Sequence, residues 1–141
     1  MTDRAFVDTN ILVYAHDTGA GLKHERASAL LETLWRERKG VLSTQVLQEF
    51  YVNVRRKAKN PVSAQEARQL MEDYLCWDVI VNDGGAILEA LTLEDRYQLS
   101  FWDALIVHAA QRSGVDTLYS EDLNPGQSYG SVTVVNPLLG C

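Results

Sequence analysis

The chain alternates short apolar runs with longer segments in which apolar residues recur every three or four positions. The longer segments have the period of one helix face, as at Ala27, Leu31 and Leu34. The short runs fit buried strands, and they cover residues 5–7, 41–42, 79–81, 117–119 and 132–135. This alternation predicts an α/β fold with a central, mostly parallel five-stranded sheet and helices on both faces.

Polar residues and glycines punctuate the pattern where the helices should begin and end. Ser100 and Asp103 have the spacing of a capping box at the start of an apolar helix. Gly40 follows a helical segment and is predicted to stop that helix. Residues 124–130 contain one proline and two glycines, so we expect a turn-rich connection there.

Length and composition limit the class of protein. The 141 residues fit one domain, so residues 1–141 are expected to form a single unit, and a 46% apolar content is enough for a packed core. No apolar run approaches the roughly 20 residues that span a bilayer, and the N-terminus lacks the pattern of a secretory signal. Cys76 and Cys141 are far apart and suggest no disulfide framework, so a cytoplasmic location is expected.

The net charge of −6 weighs against a nucleic-acid partner, because phosphate contacts usually come from lysine and arginine. There is one clear basic run, Arg55, Arg56, Lys57 and Lys59, of which Arg55, Arg56 and Lys57 could guide RNA. The favoured interpretation of the run is a solvated helix end, where cations suit the helix dipole. Bound divalent cations would also offset the acidity, because they supply a positive field of their own.

Carboxylates follow several of the predicted strands. Asp8 ends the first strand, Asp122 follows the fourth, and Glu49 lies on the helix after the second. In open α/β sheets, ligands bind outside the carboxyl ends of the strands, which is where these acids should lie. Each also has a plain structural interpretation: Asp8 as a helix cap, Asp122 as a turn residue and Glu49 as a solvated side chain.

Asp103 is the acid that most needs an explanation. It lies on a helix that is apolar around most of its circumference, and such a helix is mostly buried. A buried carboxylate needs a partner or a metal, unless the helix dipole and a capping role satisfy it. Clustered acids hold Mg²⁺ or Mn²⁺, and such ions activate water for phosphodiester hydrolysis.

Four segments resemble motifs of the PIN-domain nucleases. They are VDTNIL at 7–12, QEF at 48–50, FWDALI at 101–106 and SEDLN at 120–124. Their order and spacing match the family over nearly the whole chain. The segment 130–137 also resembles the end of the bacterial VapC-type toxins within that family.

The resemblance implies an acidic pocket at the carboxyl edge of a parallel sheet. Its implied ligands for Mg²⁺ or Mn²⁺ are Asp8, Glu49, Asp103 and Asp122. Asn10 and Ser120 match polar positions that orient ligands or water. Asn124 matches a position where the family can have another acid. An amide adds no charge there, which leaves the number of metal ions, one or two, open.

The resemblance also implies an activity and partners. Family members cut RNA, VapC-type members are usually neutralised by a small antitoxin, and they commonly form homodimers. Two alternatives stay open: a PIN-like binding module without catalysis, and a DNA nuclease of the same fold. The sequence does not separate RNA from DNA, because contacts to the 2′-hydroxyl cannot be read from it.

Other phosphate chemistries fit the sequence poorly. An aspartyl phosphatase usually has a second acid two residues after the first, where this chain has Asn10. A receiver domain has a lysine after its last strand, and here that place reads Val135-Asn136-Pro137. A nucleotide-binding domain needs a glycine-rich turn after the first strand, and Asp8-Thr9-Asn10 contains no glycine.

Overall fold

The computed structural model describes residues 3–141 of the chain. Its strands are β1 (Ala5–Val7), β2 (Gly40–Ser43), β3 (Asp78–Ile80), β4 (Thr117–Tyr119), β5 (Ser128–Tyr129) and β6 (Val132–Val135). Its α-helices are α1 (Thr9–His16), α2 (Leu22–Glu37), α3 (Thr44–Arg56), α4 (Ala64–Tyr74), α5 (Gly84–Tyr97) and α6 (Phe101–Ser113). Within residues 3–141, no helix is both long and apolar enough to cross a membrane.

The strands form one sheet in the order β3-β2-β1-β4-β6-β5. All neighbours pair in parallel except β5 and β6, which are antiparallel. The predicted α/β fold with a mostly parallel sheet is therefore confirmed. The predicted number of strands was too low, because β5 lies inside the segment 124–130 that was expected to be only a connection. Its two residues are too few to show a periodic pattern.

The order of the strands determines where a ligand site can form. The chain steps outward from β1 to β2 and β3, and then crosses back to β4 on the other side of β1. Because such crossovers are right-handed, α1 to α4 cover one face of the sheet, and α5 and α6 cover the other. The carboxyl ends of β1 and β4 thus meet where the direction of winding reverses, which is the usual ligand site of open α/β sheets.

Helix α6 buries most of its apolar residues, as its apolar circumference predicted. It packs against β2, β3, β4 and β6. Its buried residues are Ala104, Leu105, Ile106, Val107, Ala109 and Ala110. Ser100 caps the helix by accepting a hydrogen bond from the Asp103 N–H at 3.1 Å. Asp103 is therefore held in the first turn of a helix that packing fixes firmly in place.

The prediction that Gly40 stops the preceding helix is wrong. Helix α2 ends at Glu37, and Arg38 takes the left-handed conformation with φ of 57° that closes it. Gly40 instead begins β2, where a Cβ atom would lie 2.0 Å from Cζ3 of Trp77. The glycine is required by the close approach of an aromatic ring, which no local pattern reveals.

The outer face of α5 leaves large apolar side chains exposed. Ile87, Leu88 and Leu91 are 47%, 67% and 48% exposed, whereas Ala90 is fully buried. Only Leu93 among the leucines and isoleucine of α5 is buried, so most of its large apolar side chains face outward, unlike those of a usual amphipathic helix. Contiguous exposed apolar surface of this kind often marks an interaction site.

Candidate active site

Asp8 stands at the junction of β1 and α1. Its Oδ1 accepts a hydrogen bond from the Thr9 N–H at 2.7 Å, and its Oδ2 accepts one from the Ser120 hydroxyl at 2.8 Å. Only 6% of the residue is exposed. Asp8 is therefore both the N-terminal cap of α1 and a buried carboxylate at the carboxyl edge of the sheet.

Ser120 connects Asp8 to the loop after β4. Its hydroxyl donates to Asp8 and also accepts from the N–H groups of Asp122 and Leu123, each at 3.2 Å. The residue is completely buried. Because one hydroxyl makes all three hydrogen bonds, Ser120 fixes the position of Asp122 relative to Asp8.

Polar residues of α1 hold two further acids. The Asn10 side-chain amide donates to Oδ2 of Asp122 at 2.8 Å, and the Thr9 hydroxyl donates to Oε1 of Glu49 at 2.7 Å. The start of α1 thus orients one carboxylate from the loop after β4 and one from α3. Thr9 was not among the residues that the sequence singled out, although it immediately follows Asp8.

Asp103 differs from these acids because its carboxylate makes no hydrogen bond or ion pair with residues 3–141. In a complete capping box, that side chain would accept a hydrogen bond from the N–H of Ser100. Only the reverse bond, from the Asp103 N–H to the Ser100 hydroxyl, is formed. Capping by the side chain therefore does not account for the carboxylate of Asp103.

The four predicted acids line one cavity of about 200 Å³, which we call the acid cavity. Its lining consists of Asp8, Thr9, Asn10, Gln45, Glu49, Asn53, Trp102, Asp103, Ile106 and Asp122. Ser120 lies behind the cavity, and Asn124 lies outside its lining, where its carbonyl accepts from Gln127 in a turn. Arg55, Arg56 and Lys57 do not line it either.

Four acids line this cavity, and no lysine or arginine of residues 3–141 does. Burial raises the pKa of Asp8 to about 6, and the negative charges of Asp122 and Asp103 add to this effect. The hydrogen bonds from Ser120 and Thr9 oppose it. The pKa of Asp122 is also raised, first by burial and then by the charges of Asp103 and Glu121.

We tested whether these residues fit a divalent cation. Within residues 3–141, no group of three or more His, Cys, Asp or Glu side chains lies close enough together to hold an ion directly. Apart from Trp102 and Ile106, the lining side chains are carboxylates, amides and one hydroxyl, and their oxygen atoms are the ligands that Mg²⁺ and Mn²⁺ prefer. A hydrated ion that uses few carboxylates suits these ligands and would stabilise the ionised form of Asp8, which burial and then the charges of Asp122 and Asp103 disfavour.

Gln45 is a second residue that the sequence analysis missed. It is 6% exposed, and its Nε2 donates to the Trp102 carbonyl at 3.2 Å and lies 3.4 Å from Oε2 of Glu49. Because both neighbours are acceptors, the amide orientation is fixed, and its Oε1 is left buried without a donor. Such an unpaired acceptor costs about 1–3 kcal/mol, so it is a candidate contact for an ion or its water. The i, i+4 spacing of Gln45 and Glu49 could have revealed it.

The comparisons with known proteins agree with this geometry. A family model described as the PIN domain matches residues 5–125, which include all four acids. The chain belongs to the PIN domain family. No curated protein matches it significantly.

Solved structures share the PIN fold at low sequence identity. The Mycobacterium tuberculosis toxin VapC20, described as cleaving the sarcin–ricin loop, is 20% identical with a TM-score of 0.64, and the match covers 84% of this chain and 89% of that one. A toxin–antitoxin complex from Klebsiella pneumoniae is 20% identical with a TM-score of 0.69, and the match covers 94% of this chain and 97% of that one. VapBC2 from Rickettsia felis, bound to a promoter DNA fragment, is 20% identical with a TM-score of 0.60, and the match covers 92% of this chain and 96% of that one. At this identity the likeness establishes the fold.

Proposed function

We propose that this PIN-domain protein is a metal-dependent endoribonuclease and the toxin of a toxin–antitoxin pair. The observation that carries the proposal is the meeting of Asp8, Glu49, Asp103 and Asp122 in one cavity at the carboxyl edge of the sheet. The described activity of VapC20 and the toxin–antitoxin neighbours support the same function.

The four acids would hold hydrated Mg²⁺ or Mn²⁺, a few of them directly and the others through its water, and the bound ion would supply an activated water for attack on a phosphodiester. Ser120 and the Thr9 N–H stabilise the ionised form of Asp8 by donating to both of its oxygens. Asn10 orients Asp122, and Thr9 orients Glu49, so that these carboxylates are positioned before the substrate arrives. The carboxylate of Asp103, which accepts no hydrogen bond from residues 3–141, would bind the ion.

The partners follow from the same proposal. A small antitoxin would neutralise the protein in the cytoplasm, where its RNA substrate is found, and residues 1–141 would act as one nuclease domain. The exposed Ile87, Leu88 and Leu91 of α5 support a homodimer, because a second copy would remove this apolar surface from water.

Mn²⁺-dependent cleavage of a mixed RNA pool tests the function, with single-stranded DNA of the same sequences assayed beside it. Asp8→Asn and Asp103→Asn should each abolish RNA cleavage, since they keep the side-chain shape and remove a charge that the ion needs. Asp83→Asn is the matched control, because Asp83 caps α5 through the Ala86 N–H at 2.9 Å and lies outside the cavity.

Each variant is first checked by circular dichroism for a native-like spectrum. A folded Asp8 or Asp103 variant with wild-type activity would remove that residue from the ligand set. Cleavage of DNA alone would overturn the RNA assignment. Binding of RNA without any cleavage would favour a PIN-like binding module.

A further inference from the structure

One face of α3 presents polar side chains at every fourth position. Gln45, Glu49, Asn53 and Lys57 follow one another at this spacing, which places them in a row along the helix. The first three line the acid cavity. Lys57, one turn further, lines a second cavity of about 390 Å³. The row therefore connects the acid cavity with its neighbour.

Helix α1 also contributes residues to both cavities. Asn10 lines the acid cavity and donates to Asp122, whereas Tyr14, four residues later, lines the second cavity. The Tyr14 hydroxyl donates to Oε1 of Glu121 at 2.9 Å. Because one helical turn advances only about 5.4 Å, the two cavities lie next to each other.

Lysines concentrate in the second cavity, although the chain as a whole is acidic. Lys23, Lys57 and Lys59 all line it, and we call it the lysine cavity. Lys57 and Lys59 are exposed. Lys23 pairs with Oε2 of Glu121 at 2.5 Å, and its Nζ lies 5.0 Å from the centre of the Tyr14 ring. Glu121 directly precedes Asp122 in the chain and thereby holds Lys23 beside the loop that presents Asp122.

The loop that presents Lys59 is held by a buried carboxylate. Asp17, which is 3% exposed, accepts from the N–H groups of Gly19, Lys59 and Asn60 at 3.0, 2.8 and 2.9 Å. A Cβ atom at Gly19 would lie 2.9 Å from Cβ of Lys59, so this approach requires glycine. The position of Lys59 beside α1 is therefore built into the fold.

We propose that the lysine cavity binds a backbone phosphate of the RNA next to the phosphodiester that is cut, an inference that rests on the proposed ribonuclease function. The acid cavity repels RNA except where an ion neutralises it, so affinity for the flanking strand must come from cations nearby. Lysine suits this task because its ammonium is a mobile point charge with three donors. The phosphate would bind Lys57 and Lys59 and share Lys23 with Glu121.

Binding of a labelled single-stranded RNA over a series of salt concentrations tests this site. All proteins include Asp103→Asn, so that the RNA stays intact. Lys57→Gln with Lys59→Gln should weaken binding and lower the slope of log affinity against log salt by roughly 0.7 for each phosphate that the protein no longer neutralises. Lys57→Arg with Lys59→Arg should retain the original slope. Both positions are exposed, and equal melting temperatures verify folding.

The matched control is Arg36→Gln with Arg38→Gln, which removes the same charge from a cavity at the amino edge of the sheet. Its slope should equal that of the parent protein. Arg55→Gln with Arg56→Gln tests the rest of the basic run and should change the slope less than the lysine pair, since neither arginine lines either cavity.

The outcomes separate this inference from the proposed function. An unchanged slope in the lysine variant, together with RNA cleavage by the wild type, would overturn the phosphate site and leave the nuclease intact. It would favour an acidic protein segment as the ligand of the lysine cavity. An equal loss of affinity in the lysine variant and the Arg36 and Arg38 control would overturn the site as well, because binding would then follow net charge alone. Absence of RNA binding by the parent protein, together with absence of RNA cleavage by the wild type, would overturn both proposals.

Discussion

Two cavities at opposite edges of the sheet differ in size and in chemistry. The cavity at the amino edge has a volume of about 550 Å³ and is lined by Arg4, Arg36, Arg38, Trp35 and Trp77, among others. The acid cavity at the carboxyl edge is smaller, at about 200 Å³. Basic and aromatic residues around a large cavity suggest nucleic-acid binding, yet the converging acids lie around the small one. Size therefore does not locate the chemistry.

The difference lies in how each edge satisfies its polar groups. At the amino edge, Arg4 pairs with Asp78 at 2.5 Å and donates to the Ser113 carbonyl at 2.7 Å. Trp35 and Trp77 meet edge to face with ring centres 5.4 Å apart. Opposite charges and ring contacts of this kind stabilise the fold. The contacts at the amino edge therefore serve to hold the fold together.

At the carboxyl edge, charges of the same sign are brought together. The raised pKa values of Asp8 and Asp122 show that the folded protein disfavours their ionised forms. That arrangement costs stability and has no structural benefit unless a cation arrives. Sites of this kind commonly exchange stability for function.

The largest expected effect on stability is at the amino edge. Gly40→Ala should destabilise the protein by about 3 kcal/mol or more, the upper range for overpacking, because its Cβ would overlap the Trp77 ring. Gly84→Ala is the control, since a Cβ there meets nothing within 4 Å and alanine favours the helix. Urea unfolding measures both. Equal stability of the Gly40 variant and the wild type would show that this edge is loosely packed.

The next effect concerns pH at the carboxyl edge. The folded protein keeps a proton on Asp8 up to about pH 6, whereas the unfolded chain releases it near the ordinary value of 3.8. The folded state therefore binds more protons between these values, and stability falls as pH rises through them. The loss amounts to at most about 3 kcal/mol. The raised pKa of Asp122 acts in the same direction.

Urea unfolding in EDTA at several pH values checks this dependence. Asp8→Asn cannot ionise, so its stability relative to the wild type should increase from pH 4 to pH 7. Comparing the two proteins cancels the contributions of other groups, such as Asp17, whose pKa is lowered. A constant difference across this range would contradict a raised pKa for Asp8.

The third effect is the response to metal. Mn²⁺ that binds only the folded form adds about 2.7 kcal/mol at a hundredfold excess over Kd, and should raise the melting temperature by several degrees. Asp103→Asn should lose most of this increment. Its metal-free form should melt at or above the wild-type temperature, because one repelling charge is gone.

A capping role for Asp103 leads to different melting curves. Removal of its charge near the start of α6 would then cost about 0.5–1 kcal/mol or leave stability unchanged, and the Mn²⁺ increment would survive. A destabilised Asp103 variant with the full metal shift would therefore exclude Asp103 as a ligand. Gly84 does not line the acid cavity, so Gly84→Ala should show the wild-type increment of melting temperature with Mn²⁺.

Local pattern was sufficient for much of the fold and for the main candidates. Short apolar runs locate β1, β2, β3, β4 and β6 to within a residue or two, because a buried strand must be apolar whatever surrounds it. The apolar circumference of α6 predicted its burial and drew attention to Asp103. The four acids could be identified because each follows a strand or lies on a helix beside one, and their motifs resemble those of one family.

The tertiary structure alone decided what those residues contact. Only the packing of α3 against α1 shows that Gln45 shares the cavity with Asp8, and only the buried carboxylate of Asp17 brings Lys59 beside Lys23. Gly40 could not be understood until Trp77, 37 positions later in the sequence, lay against it. The physical reason is the same in each case. Periodicity reports which side of an element is buried, whereas a site depends on distances between elements, which the sheet order and close packing determine.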